Sequence, residues 1–231
     1  MKLNRWAAPL AVVLGASPVF GQVKESLRLR SCGEVFREVM GVKEGIPVDL
    51  LQKAYCVAVI PSVKKAALGL GGRFGKGAVV CRTDRGNGPW GAPLMISIGG
   101  GSIGLQIGAE ATDYVFVVMN PRGIDKLLES KFTLGADCSI AAGPVGRNME
   151  AATDIQMHAE ILTYSRSRGV FAGLALEGAV VKQDKDANEA VYGGGISPHE
   201  VLLTRDHTTP AGARDLLEAL REFSPRRISA N

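Results

Sequence analysis

Few of the residue types that build catalytic and metal centres occur in this chain. It has three histidines and four cysteines in 231 residues. No C-x-x-C pair is present and no histidine stands at finger spacing from a cysteine, so neither a metal nor any other cofactor is expected. A large charge of one sign is also missing. The formal charge is +4, without an aromatic RNP signature or a basic helix running into heptads, which excludes the common nucleic-acid binders. No apolar run approaches the ~20 residues of a membrane-spanning helix. No period repeats and no linker marks a boundary, so residues 22–231 read as one domain.

The N-terminus reads as a secretory signal peptide over residues 1–21. Lys2 and Arg5 form a basic start, Ala7 to Val13 a short apolar stretch, and Val19 and Gly21 the small residues of a cleavage site ahead of Gln22. Its removal takes two cations and no carboxylate, leaving +2. A lipoprotein signal needs a cysteine directly after the site, whereas the first is Cys32. The expected location is periplasmic or secreted. An exported chain with an even cysteine count can form disulfides, but a core of ordinary size does not need them. Cys56 and Cys81 lie in apolar runs and read as buried free thiols, with the pairing of Cys32, Cys56, Cys81 and Cys138 left open.

What the chain has in abundance is glycine. From Ala66 to Leu105 it makes up twelve of forty residues, and each interior glycine costs a helix about 1 kcal/mol relative to alanine. Between the glycines stand short runs of Val, Ile, Leu and Ala, the pattern of strands with bulges and close backbone approaches. Strands are expected near 66–73, 77–83, 93–98, 103–109 and 114–119, after a buried strand in Tyr55 to Pro61. Further strands are read at 134–142, 170–175 and 177–181. Val23 to Met40 reads as an amphipathic helix ended by Gly41. Shorter helices follow at Pro47 and Pro121, a helical turn at 187–191 and a terminal helix at 210–223. The short Gly-rich connections suit antiparallel pairing. The fold class is therefore α+β, a strongly curved, mostly antiparallel sheet with an N-terminal amphipathic helix and a C-terminal helix.

Three motifs imitate known sites. Gly99, Gly101 and Gly104 match the dinucleotide fingerprint, and Gly100, Ser102 and Gly104 match a nucleophile elbow, with Asp137 or Asp154 and His158 or His207 available for a triad. Both motifs need a helix directly after the glycines, but the residues up to Asn120 read as strand. Asp184, Asp186 and Asn188 imitate a calcium loop whose sixth and twelfth positions are wrong. The expectation is a protein that is not an enzyme. The basic residues are more promising. Lys64, Lys65, Arg73 and Lys76 flank one glycine cluster, and Arg147, Arg166 and Arg168 sit by other glycines, where a phosphate can approach backbone N–H groups.

Taken in order, IPVDLLQKAYCVAVIPSVKKA, GLGGRFGKG, WGAP, GGGSIGLQIGAEATDYVFVVMN, TLGADCSIAAGPVGR, YSRSRGVFAGLALEGAVV and DKDANEAVYGG resemble the SYLF-domain family over about residues 24–205. The resemblance implies a compact α+β domain that binds lipids and phosphoinositides, with an N-terminal amphipathic helix and a basic surface. Some members also bind actin and carry an SH3 domain; no such module follows here, and export makes actin an unlikely partner. Val191-Tyr192-Gly193 departs from the aromatic pair expected before that glycine. The function expected is exported, non-enzymatic recognition of anionic phospholipid head groups with peripheral membrane association. The head groups would meet Lys64, Lys65, Arg73, Lys76, Arg147, Arg166 and Arg168, and the bilayer boundary Leu27, Val35, Phe36 and Val39. The competing readings are a structural or envelope-stress protein without a lipid, and a hydrolase using Ser102.

Overall fold

The computed structural model describes residues 18–68, 70–103, 108–146, 158–167, 169–204 and 208–228. Helix α1 (Pro18–Gly41) and helix α2 (Val48–Lys53) lead into four long strands, β1 (Cys56–Leu68), β2 (Leu70–Arg82), β3 (Trp90–Ile103) and β4 (Gly108–Val118). Then come α3 (Pro121–Leu128), β5 (Lys131–Thr133), β6 (Ile140–Ala142), β7 (Ile161–Ser167), β8 (Val170–Gly173) and β9 (Val180–Gln183). Helices α4 (Lys185–Tyr192), α5 (Pro198–Leu203) and α6 (Arg214–Phe223) close the chain. The strands form one strongly curled sheet in the order β5-β9-β3-β2-β1-β4-β7-β6, with β8 on β7, and among the described strand pairs only β6–β7 is parallel. The expected fold class is the observed one. The long strands swallow the breaks read from sequence, and β7 and α5 are elements that periodicity did not reveal.

Proline and glycine explain the curl. Pro61 has no N–H for the ladder, and the β1 register slips between Ile60 and Val63. Ser62 there takes φ +50, its N–H donating to Asp113 Oδ1 at 2.8 Å. The bulge presses β1 against β2. A Cβ on Gly77 would fall on the Val59 carbonyl oxygen, and one on Gly75 would meet the Val63 side chain. Glycine is required at these two positions by close approach.

Both sheet faces are buried, which is why Tyr55 to Ile60 is apolar without alternation. Val57, Val59, Val80 and Val117 face one core with α1, α2 and α6; this is the helix face. Cys56, Ala58, Val79, Cys81 and Phe116 face the other core with α3 and α5. Cys56 and Cys81 are opposite each other in the register and form a disulfide, which corrects the reading of both as free thiols and names this second side the disulfide face. Cys32 and Cys138 are free and buried. Burial pushes the Cys32 thiol up to about 12, and its Sγ donates to the Val59 carbonyl at 3.3 Å.

The C-terminal helix is fixed by two side chains from the sheet. Arg82, fully buried, donates to the Ser224 carbonyl and hydroxyl at 2.9 and 2.6 Å, while Trp90 Nε1 donates to the carbonyls of Leu220 and Ser224. The Ser224 carbonyl, beyond the last turn of α6, is thereby satisfied, and the Leu220 carbonyl accepts the indole N–H in addition to the Ser224 N–H. Burial lowers the Arg82 pKa to about 10, with the charge of Arg227 adding to it.

Candidate lipid-facing site

Helix α1 does not carry one continuous apolar stripe. Leu27 and Phe36 are nine residues apart, two and a half turns, and so lie on opposite sides of the helix. Leu29, Cys32, Val35, Phe36 and Val39 pack into the core, with Phe36 edge-on to Phe223 at 6.5 Å. Val35, Phe36 and Val39 therefore cannot face a membrane in this fold, because the sheet and α6 already cover them. Leu27 is 56% exposed and Val23 nearby 55%.

The basic residues separate by partner. Lys76 donates to Asp184 Oδ2 at 2.8 Å, and Arg28 reaches the same carboxylate at 2.9 Å and Glu25 at 2.7 Å. Burial works to raise the Asp184 carboxyl, but the hydrogen bonds and charges of Lys76 and Arg28 outweigh it and hold it below the usual value. Arg166 is paired with Glu38 and, at 3.5 Å, with Asp113. Lys76 and Arg166 are thus structural ions. Arg147 and Arg168 lie outside the described residues. Lys64, Lys65 and Arg73 have no carboxylate within ion-pair distance among the described residues, and all three stand at one end of β1 and β2.

The pleat divides these three between the faces. Lys64 is opposite Phe74 in the register, on the helix face but beyond the helices. Lys64 is exposed, Phe74 is 57% exposed, and the neighbouring Gly72 and Gly101 are open to solvent. Phe74 was missed from sequence, where it reads as one more apolar residue between glycines. On the disulfide face, the register aligns Gly100, Arg73, Lys65 and Glu110 across β3, β2, β1 and β4, with Val63 and Thr112 in the next row. Lys65 Nζ lies 5.8 Å from the centroid of the Tyr114 ring. The Arg73 Nε, the Thr112 hydroxyl and the Tyr114 hydroxyl are buried and have no hydrogen-bond partner among the described residues. Leaving such a group unpaired costs about 1–3 kcal/mol.

The imitated motifs dissolve into structure. Ser102 is a strand residue of β3 paired with Gly71, and strand resumes at Gly108, so no helix of an elbow follows it among the described residues. Asp137 accepts from the Thr133 N–H at 2.6 Å, His158 is exposed, and Asp154 and His207 lie outside the described residues. Asn188 clamps the backbone of Met95, accepting its N–H and donating to its carbonyl at 2.8 and 2.9 Å. Among the described residues, no helix is long and apolar enough to cross a membrane.

Comparison with known proteins adds a family. Residues 99–223 match the family model described as "Ysc84: Las17-binding protein actin regulator". The chain is similar to an SH3 domain-containing protein of Schizosaccharomyces pombe, 38% identical over 80% of this chain and 43% of the relative. It is similar to SH3 domain-containing YSC84-like protein 1 of Homo sapiens, 36% identical over 78% of this chain and 52% of the relative. LAS seventeen-binding protein 3 of Saccharomyces cerevisiae is 34% identical over 75% of this chain and 38% of the relative. The chain thus spans about half the length of these relatives, or less.

Proposed function

This chain belongs to the Ysc84/SYLF domain family, and on that premise we propose that it is an exported, non-enzymatic protein that docks peripherally on membranes through anionic phospholipid head groups. The observation that carries the reading is the exposed cross-strand pair of Lys64 and Phe74, a cation without a carboxylate partner beside an aromatic ring in water. Burying a phenylalanine side chain stabilises contact by about 1.5–3 kcal/mol. Each cation close to an anionic leaflet adds about 1 kcal/mol. The open glycines beside the pair let a bilayer surface approach the strand backbone closely, and exposed Leu27 and Val23 on α1 offer a further apolar contact. The names of the relatives describe SH3-domain and Las17-binding proteins; export separates this chain from actin and its regulators, so lipid is the partner proposed.

Flotation of the whole chain with vesicles tests this. Vesicles of phosphatidylcholine mixed with phosphatidylglycerol should carry the protein up, whereas phosphatidylcholine alone should not. Binding should weaken as salt shortens the Debye length to about 8 Å and below. The double substitution Lys64→Glu and Phe74→Asp should leave the protein folded and at the bottom of the gradient. Flotation that is insensitive to salt and to both substitutions would overturn head-group docking, and a folded wild type that never floats would favour the structural, envelope-stress role.

A further inference from the structure

We propose that the disulfide face of the sheet holds a phosphate group, bound by Arg73, Lys65, Thr112 and Tyr114. The inference rests on the lipid reading only for the source of the phosphate and on its own observations for the site. Thr112 is 3% exposed and Tyr114 0% exposed, yet both hydroxyls, and the Nε of Arg73, end without a partner among the described residues. Buried polar groups in native proteins are paired as a rule, so three orphans on one face point to a group that completes them.

The register places them on one face of neighbouring strands. Arg73 and Lys65 are direct cross-strand neighbours, Thr112 is opposite Val63 in the adjoining row, and Thr112 and Tyr114 are two apart on β4 and so on the same side. Lys65 leans towards this corner, with its ammonium over the Tyr114 ring. Beside Arg73, Gly100 has no side chain, and a Cβ there would lie 3.3 Å from the Ala179 Cα and the Gly178 carbonyl oxygen. The chain at 178–179 therefore roofs the Arg73 end of the row, and an anion held there is shielded from water on that side.

The donor set selects the ligand class. A guanidinium and an ammonium supply two positive charges, and two hydroxyls supply neutral donors. A tetrahedral oxyanion with several acceptor oxygens uses all of them at once. The phosphate can be a lipid phosphomonoester or a free one.

The test uses the whole chain, inorganic phosphate as the probe, and sodium chloride at matched ionic strength as the control. Phosphate should raise the unfolding temperature saturably, while chloride should not. Arg73→Gln should weaken phosphate binding at least tenfold. The pair Thr112→Val and Tyr114→Phe removes the orphan hydroxyls at nearly constant shape. Without phosphate this variant should be as stable as the wild type or more so, and phosphate should no longer stabilise it. No effect of phosphate on the wild type, or an equal effect on the double variant, overturns the site and leaves the orphans to bound water. Vesicles containing phosphatidic acid separate the sources. If they float the protein while inorganic phosphate fails to bind, this site is wrong and the docking reading stands; if phosphate binds and no vesicle floats, the site stands and its ligand is soluble.

Discussion

Phe36 and Leu27 are both large apolar residues of α1, and their surroundings give them opposite roles. Phe36 has no exposed surface and rests on Phe223, whereas Leu27 is more than half exposed. A carboxylate at Phe36 would lose its hydration without gaining a partner, and the ring's packing would go as well, which costs several kcal/mol in comparable cores. Phe36→Glu should therefore unfold the protein or lower its urea midpoint severely, while Leu27→Glu should stay within about 0.5 kcal/mol of wild type. Equal tolerance of both would mean that α1 does not pack as described. A second contrast separates glycines. Gly77→Ala puts a methyl against the Val59 carbonyl and should cost about 1–3 kcal/mol or more, whereas Gly101, with nothing within 4 Å of its missing Cβ, should accept alanine with little change in the same denaturation experiment. The glycine density was legible in the sequence. Which glycines meet a neighbour was not, because that depends on the slip in β1 at Pro61.

Between elements, the charged cluster around Asp184 ties α1, through Arg28, and β2, through Lys76, to the start of α4. This corrects one reading, since Lys76 is held by Asp184 in place of a head group, while Asp184, already unfit for a calcium loop by its sequence, stands at the start of α4. The Asp184 carboxyl is held below its ordinary value of 3.8. A folded pKa that is depressed means stability present above the unfolded pKa and lost as pH falls through the folded one. Wild type should accordingly be more stable than Asp184→Asn at neutral pH, and the gap should hold down to about pH 4 and close below it. Urea titrations of the two proteins across this range check it, and a gap independent of pH would show that the carboxylate's charge is not what binds the three elements. The sequence showed charges at Arg28, Lys76 and Asp184 but not their convergence, since they are 108 and 156 residues apart along the chain. Lys64 and Lys65 illustrate the same limit. Adjacent in sequence, they are sent by the pleat to opposite faces, one beside exposed Phe74 and the other beside Tyr114.

For the molecule as a whole, the α+β class followed from glycine spacing and from helical periodicity at the two ends, features that depend on local chemistry alone. The disulfide is a product of the assembled sheet. Cys56 and Cys81 are 25 residues apart, and only the β1–β2 register makes them partners. Disulfides form and persist in oxidising compartments, so the proposed export and this bond make one joint prediction. Helix α1 begins at Pro18, ahead of the expected cleavage after Gly21, but its core residues start at Leu29, so processing there removes the first turn, with the close approach of Gly21 to Ala190, and leaves the core residues in place. Protein recovered from the exported fraction should have the intact mass of a chain beginning at Gln22. Unfolded in alkylating reagent without reductant, it should take up two labels, at Cys32 and Cys138, and four after reduction. A mass that retains Met1 to Gly21 together with four labels before reduction would put the protein in a reducing compartment, and with it both the export reading and the argument that sets actin aside would fall.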